Sequence, residues 1–111
     1  MDESSQIEVP PSFVALFTVP GGHRLTQPMS FVRERYELCE DMAQMLCEQA
    51  SAAAFKSGAP EGEVLAGMQA ALSAEGGPLQ ADEPSWVVTR IAELLNWPMP
   101  ERAEGALPPR R

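Results

Sequence analysis

The chain has 111 residues, of which 44% are hydrophobic and 22% are charged, and its formal net charge is −8 at pH 7. This composition predicts one folded domain, since a disordered chain of this length would contain fewer apolar residues. The acidic charge argues against nucleic acid and anionic membranes as partners, because phosphate contacts need Lys and Arg and the chain has only eight of them.

The sequence gives no sign of export or membrane insertion. No apolar run approaches the roughly 20 residues of a membrane span. The first residues, "MDESSQIEVP", lack the basic and apolar regions of a signal peptide. We therefore expect a cytoplasmic protein with reduced cysteines.

The chain divides into a central domain and two flanks. Residues 1–11 and 98–111 are rich in proline and charge and are predicted to be mobile, which leaves 12–97 as a single domain. The segment "SFVALF" begins this domain, with Phe13 and Phe17 four positions apart. It is too short to be stable alone. We expect it to dock as a lid, either on a second side of the long helix described next or on a tryptophan-bearing face. The alternative is that the segment is a free linear motif that binds a partner.

The strongest pattern predicts a long helix over residues 28–56, with Gly58 suited to a C-terminal cap. At about 100° per residue its apolar side chains cover an arc of about 200°. A helix that lies on a core from one side usually has an apolar stripe only about half as wide. We therefore expect this helix to be central and packed on two sides. The arc contains Phe31, Val32, Tyr36, Leu38, Cys39, Met42, Ala43, Met45, Leu46 and Cys47.

Two shorter helices are predicted to follow, over 60–75 and 83–97. The first begins at a proline with acidic residues in its first turn, and the second begins within "DEPSW". On the last helix Trp86 and Trp97 fall together with Arg90 and Glu93, away from the main apolar stripe. The sequence thus predicts an all-α fold of three main helices with a short docked N-terminal segment.

Three stretches, "PPSFVALFT", "RYELCEDMAQML" and "WVVTRIAELLNWP", resemble a family of short proteobacterial proteins of unknown function. Some members of that family are labelled "ATPase with chaperone activity". The resemblance covers most of residues 9–98 and implies no established activity. The residues do not support ATP hydrolysis of the common kind, which needs a glycine-rich loop followed by Lys and Ser or Thr. The only lysine, Lys56, lies in "KSGAP", and no phosphate-binding loop is present.

The chain contains few residues suited to catalysis or metal binding. His23 is the only histidine, so no Cys/His zinc set with sensible spacing can be drawn. Cys39 and Cys47 fall inside the apolar arc, which is typical of buried structural thiols rather than nucleophiles. Eight positions apart on one helix, they are also about 12 Å apart along its axis and too distant for a disulfide. No catalytic, cofactor-binding or metal-binding residue is predicted.

The opposite face of the long helix is acidic and includes Glu37 and Asp41. One interpretation is a solvated surface, and the other is a docking face for a basic partner protein. Residues 28–97 hold 11 acidic and 4 basic side chains, so the negative charge persists without the flanks.

Arg35 and Tyr36 need a separate explanation, because Arg35 lies near the middle of the apolar arc. Its aliphatic stem could cover apolar surface while its guanidinium stays in water. Alternatively, the arc is incompletely covered here and both residues meet a partner, since Arg and Tyr are enriched at tight interfaces. The sequence does not separate these two interpretations.

These observations predict a non-catalytic cytoplasmic protein-binding module, an adaptor, regulator or assembly factor. The alternative is a small acidic chaperone that shields a basic or apolar client in a groove of Met42, Met45 and Met68, exposed when the N-terminal segment moves away. An enzyme is a distant third. The candidate partner-binding residues are Phe13, Phe17, Arg35, Tyr36, Glu37, Asp41, Trp86 and Trp97.

Overall fold

The computed structural model describes residues 8–98. Its elements are α1 (Pro11–Val14), a 3₁₀ turn (Ala15–Phe17), α2 (Met29–Ser57), α3 (Glu61–Leu72) and α4 (Glu83–Leu95). The described residues contain no β-strand, and the predicted all-α class is confirmed. Residues 1–7 and 99–111, which hold most of the flanks predicted to be mobile, lie outside the described part of the chain. Over residues 8–98, every helix is too short or too polar to cross a bilayer.

The helix α2 is the central element, and both of its ends follow local signals. It begins directly after Pro28. It ends at Gly58, which adopts a left-handed φ of 69° and donates its N–H to the Ala54 carbonyl at 2.9 Å. This is the cap that the glycine predicts. At 1.5 Å per residue α2 is about 43 Å long, and it contacts both α3 and α4.

The buried surface of α2 is narrower than the apolar arc predicts. Its fully buried side chains form a single stripe of small and medium residues, namely Val32, Cys39, Ala43 and Ala50. Met45 is 70% exposed. The expectation that the whole arc is packed on two sides is therefore wrong at Met45. The N-terminal segment meets α2 at Phe31 and Tyr36, more than two helical turns before Met45.

The helix α3 begins after Pro60, with Glu61 and Glu63 in its first turn, where carboxylates suit the positive end of the helix dipole. It ends at Leu72, three residues before the predicted end. Ser73 closes it by donating its N–H to the carbonyls of the preceding turn. The chain then turns through Gly76, whose φ is 85°.

The helix α4 supplies most of the core. Val87, Val88, Ile91 and Ala92 are buried, and Leu94 and Leu95 are half-buried and pack against the core. The helix ends at Leu95 rather than at Trp97, because Asn96 takes a left-handed φ of 61°. Asn tolerates this conformation better than most residues. The Trp97 N–H then donates back to the Ala92 carbonyl at 2.8 Å.

The N-terminal segment is docked on the body of the molecule. Phe13 is fully buried and contacts both α2 and α4, so the segment meets both of the surfaces that were expected as alternatives. A turn with Gly21 at a φ of 76° and an antiparallel bridge between Thr18 and Leu25 lead back to α2. Val9 also packs against the core, so the packed segment begins before residue 12.

Candidate protein-binding groove beside Trp86

A groove runs between the N-terminal segment and the outer face of α4. Its first part has a volume of about 330 Å³ and is lined by Ser12, Leu16, Asp82, Ser85, Trp86, Thr89, Arg90 and Glu93. An adjoining depression of about 220 Å³ shares Ser12, Trp86, Arg90 and Glu93 and adds Glu8, Pro10 and Tyr36. The two parts together form an elongated surface with apolar patches and a polar rim.

An aromatic cluster holds the inner wall of this groove in place. The rings of Phe13 and Trp86 meet edge to face, with centroids 5.1 Å apart and planes at 86°. Tyr36 packs on both rings in the same manner, at 5.7 Å from Phe13 and 5.8 Å from Trp86. Such edge-to-face pairs stabilise by about 0.5 to 1.5 kcal/mol beyond their buried area. The cluster fixes the position of the N-terminal segment relative to α2 and α4.

Trp86 also forms a hydrogen bond with the N-terminal segment. The indole Nε1–H of Trp86 donates to the hydroxyl oxygen of Ser12 at 2.9 Å. Trp86 is only 9% exposed, so its indole needs a partner within the protein. Ser12 lies inside α1, which begins at Pro11 after Pro10 at the cap position, and does not cap the helix. Its hydroxyl instead joins the N-terminal segment to α4.

Arg90 lies in the groove but its charge is already paired. Its guanidinium contacts both carboxylate oxygens of Glu40, at 2.8 and 3.1 Å, and one oxygen of Glu93 at 3.1 Å. The hydrogen bond to Arg90 lowers the pKa of Glu40, and the same bond raises the pKa of Arg90. Burial raises the pKa of the neighbouring Tyr36, and the charge of Glu40 adds to this effect. The one arginine among the lining residues therefore does not make the groove basic.

Carboxylates border the groove on several sides. Asp82 and Glu93 are exposed on the α4 side, and Glu8 is exposed at the edge of the smaller depression. On α2, Glu37 and Asp41 are exposed and lie about 100° and 140° around the helix from Tyr36. Neither lines the groove, whose border carboxylates are Asp82, Glu93 and Glu8. This arrangement favours a cationic ligand or protein segment.

The structure gives the two phenylalanines of the N-terminal segment a structural role. Phe13 is fully buried, so it is not displayed to a partner while the segment is docked. Phe17 is half-buried and packs edge to face on Phe31 of α2, with ring centroids 5.9 Å apart. Among the described contacts, both side chains hold the segment against the body.

Arg35 also makes contacts that stabilise the fold. It forms an ion pair with Glu83 at the start of α4 and donates to the Pro78 carbonyl at 2.9 Å. Neither of the two interpretations offered for Arg35 describes this arrangement, because a buried carboxylate rather than water or a partner receives the guanidinium. Tyr36, by contrast, does line the groove.

Trp97 is not among the residues that line the groove. Because α4 ends at Leu95, Trp97 lies beyond the helix and does not share a helical face with Trp86. It is half-buried and packs against the core. The expectation that the two tryptophans form one face is therefore wrong, and the physical reason is the left-handed Asn96.

Seven of the eight residues that line the larger part of the groove were not among the predicted candidates: Ser12, Leu16, Asp82, Ser85, Thr89, Arg90 and Glu93. One signal for Arg90 was present in the sequence, since it follows Trp86 by four positions on one helix. No local signal marks Leu16 or Ser12 as groove residues, because their position depends on how the N-terminal segment docks.

A second apolar surface lies at the turn between α2 and α3. Phe55 is 89% exposed and borders a shallow depression of about 550 Å³ that includes Ala54, Gly58, Ala59, Pro60 and Pro98. Of the three methionines proposed for a chaperone groove, Met45 is exposed while Met42 and Met68 are half-buried. In the structure described here these methionines do not form an open groove.

Neither cysteine lines the groove. Burial raises the pKa of the Cys39 thiol to about 12, and Cys39 lies in the core, not in the groove. Over residues 8–98, no three His, Cys, Asp or Glu side chains lie close enough together to hold a metal ion.

Comparison with protein-family models, with curated proteins and with solved structures finds no match to this chain.

Proposed function

We propose that the chain is a non-catalytic protein-binding module of the cytoplasm that receives a basic segment of another protein in the groove beside Trp86. The observation that carries this proposal is the groove's combination of apolar patches with a carboxylate rim, in which the lining arginine is already paired with Glu40 and Glu93. Adaptors, regulators and assembly factors all act by such binding, and nucleic acid and anionic membranes do not fit an acidic surface.

The shape of the groove suits an extended chain segment. Its volume of about 330 Å³ lies at the lower end of the range for ligand sites, which is enough for one or two side chains of a partner. Leu16 and the exposed edge of Trp86 offer apolar contact to an anchoring side chain. Asp82 and Glu93, at opposite ends of α4, are placed to meet Lys or Arg on either side of that anchor.

The charge of the whole molecule supports the same partner. A net charge of −8, with carboxylates at the border of the groove, attracts a basic partner before contact and raises the association rate. Binding that depends on these carboxylates should weaken as salt is added, because exposed charges are screened over about 10 Å at 0.1 M ionic strength.

The proposal can be tested by crosslinking from defined positions. A photo-crosslinking amino acid at Thr89, in the groove, should capture a basic protein from the native cytoplasm, whereas the same group at Ala70, exposed on α3, should not. Asp82→Lys with Glu93→Lys should abolish that capture. Glu63→Lys with Glu75→Lys changes the net charge equally, away from the groove, and should leave it intact. Equal capture from both positions, no capture at Thr89, or capture that survives Asp82→Lys with Glu93→Lys would contradict the proposal.

The chaperone alternative is supported by one observation, the exposure of Phe55 and Met45. A chaperone of this kind should suppress aggregation of an unfolded client in proportion to its exposed apolar surface. Light scattering of a heated client separates the two functions. Suppression that is lost in Phe55→Ser with Met45→Ser would favour the chaperone, and no suppression by the parent would favour the binding module.

A further inference from the structure

The segment that follows the described residues has a composition complementary to the groove. Three of the eight basic residues of the chain lie beyond Pro98, at positions 102, 110 and 111. The last six residues read "ALPPRR", which places an aliphatic side chain and two prolines directly before two arginines. Proline-rich segments favour an extended polyproline II conformation and lose little entropy on binding.

The groove offers what such a segment needs. Grooves that bind proline-rich segments are typically lined by aromatic side chains, and Tyr36 and Trp86 meet edge to face in this one. Pro10 and Leu16 add apolar surface. The carboxylates of Asp82, Glu93 and Glu8 can meet arginine side chains.

The length of chain permits this contact within one molecule. Glu93 lies in the last turn of α4, five positions before Pro98. The distance along α4 from Glu93 to Asp82 is about 16 Å at 1.5 Å per residue. The nine residue-to-residue steps from Pro98 to Leu107 can span up to about 30 Å when extended. The arginine pair can therefore reach either end of the groove.

We infer that residues Leu107–Arg111 occupy the groove of their own chain and compete there with the basic partner. This inference depends on the proposed function, because it assigns the same groove to an internal ligand with the same chemistry. Attachment to the domain gives the segment a local concentration of order millimolar, so a weak contact is enough for partial occupancy. A partner then binds with an affinity reduced by the fraction of time the groove is filled.

The test compares ¹H–¹⁵N NMR spectra of the full-length chain with those of Arg110→Glu/Arg111→Glu. The expected result is a shift of the Trp86 indole N–H and of the Ser85, Thr89 and Glu93 amides. Arg24→Glu/Lys56→Glu makes the same change in net charge at exposed positions that do not line the groove and serves as the control. A synthetic "ALPPRR" peptide added to Arg110→Glu/Arg111→Glu should move these signals back toward their positions in the parent.

Two results would overturn the inference: shifts confined to the C-terminal residues, or equal groove shifts in the control. Crosslinking of the partner at Thr89 then distinguishes this inference from the proposed function. If the segment competes and fills the groove half of the time, the partner's apparent affinity should rise about twofold in Arg110→Glu/Arg111→Glu. If capture at Thr89 occurs but the affinity is the same in both chains, competition is excluded and the binding function stands.

Discussion

Arg35 of α2 and Glu83 of α4, separated by 48 positions in the sequence, form a two-point ion pair in which Nε donates at 2.9 Å and Nη2 at 2.6 Å. Glu83 is only 1% exposed and also accepts the backbone N–H of Gln80. The hydrogen bond to Glu83 raises the pKa of Arg35. With the contact to Pro78, this pair joins the N-terminal part of α2 to the loop that leads into α4.

Removing the arginine should destabilise the fold strongly. Arg35→Met leaves the Glu83 carboxylate buried without its counter-charge, and breaking a buried pair from one side typically costs about 3 to 5 kcal/mol. The expected result is a lower free energy of unfolding, measured by urea denaturation followed by circular dichroism.

A double substitution separates the pair from the packing around it. Arg35→Met with Glu83→Leu removes both charges, so it should recover much of the loss, because well-packed apolar residues can replace a buried pair at little cost. Arg24→Met, on the exposed turn, should change stability by no more than about 0.5 kcal/mol. A single Arg35→Met as stable as the parent would show that the pair contributes nothing.

This pair illustrates which parts of the structure are predictable from sequence. The start of α2 after Pro28 and its end at Gly58 follow from residues that act locally, and both were predicted to within one residue. The unusual position of Arg35 in an apolar arc was also visible. Its partner was not, because the contact with Glu83 depends on how α2 and α4 pack across 48 positions.

The same distinction applies to the candidate site. Helical periodicity predicted that Trp86 points away from the main stripe of α4, and the N-terminal segment does cover it. Periodicity cannot predict how far a seven-residue segment extends over α2, which is why the exposure of Met45 was missed. The left-handed conformation of Asn96, which separates Trp97 from Trp86, is determined by tertiary packing.

Acid should weaken the contact between α2 and α4 at Glu40. The hydrogen bond from Arg90 lowers the Glu40 pKa below its ordinary value of 4.5. A carboxyl with a lowered pKa in the folded state contributes stability above its unfolded pKa and loses it as the pH falls through the folded pKa. Glu40→Gln should therefore be less stable than the parent near pH 7, and the difference should shrink below about pH 4.5.

Urea denaturation at a series of pH values measures this difference. Arg90→Gln should reduce the same pH-dependent contribution, because Glu40 then loses its donor. If the parent and Glu40→Gln lose stability in parallel throughout the acid range, the carboxylate of Glu40 does not stabilise the contact.

The two cysteines should differ in reactivity. Cys39 is fully buried, and burial, with a smaller contribution from the charge of Glu83, raises its pKa to about 12. Since the thiolate is the nucleophile, very little of Cys39 reacts near pH 8. Cys47 is half-buried and should be alkylated first by iodoacetamide, with Cys39 following only after denaturation. Peptide mass spectrometry measures the alkylation of each cysteine. Early labelling of Cys39 would show that it is not buried, and a bridge between the two cysteines in folded protein would refute the helical geometry of α2.

The chain should not bind Mg-ATP, although the family that it resembles includes members labelled as ATPases. The described residues around Lys56 form the end of α2 and a helix cap rather than a loop that could surround phosphates. Calorimetric titration should give no stoichiometric binding tighter than about 100 μM, which corresponds to roughly −5.5 kcal/mol. A saturable site below that value would contradict this prediction.

The docking of the N-terminal segment can be measured with a pair of phenylalanines in opposite environments. Phe13 is fully buried between Tyr36 and Trp86, whereas Phe55 is 89% exposed. Phe13→Ala should cost about 3 to 5 kcal/mol, because it removes a buried ring and leaves a cavity where three elements meet. Phe55→Ala makes the same chemical change at the surface and should stay within about 0.5 kcal/mol of the parent.

Chemical denaturation midpoints measure the stability of both variants. The midpoint of Phe17→Ala should fall between theirs, because Phe17 is half-buried. Equal midpoints for Phe13→Ala and the parent would mean that the segment is not part of the cooperative fold. The groove beside Trp86 would then lose the wall formed by Ser12 and Leu16, so this measurement also tests whether the groove exists in the free protein.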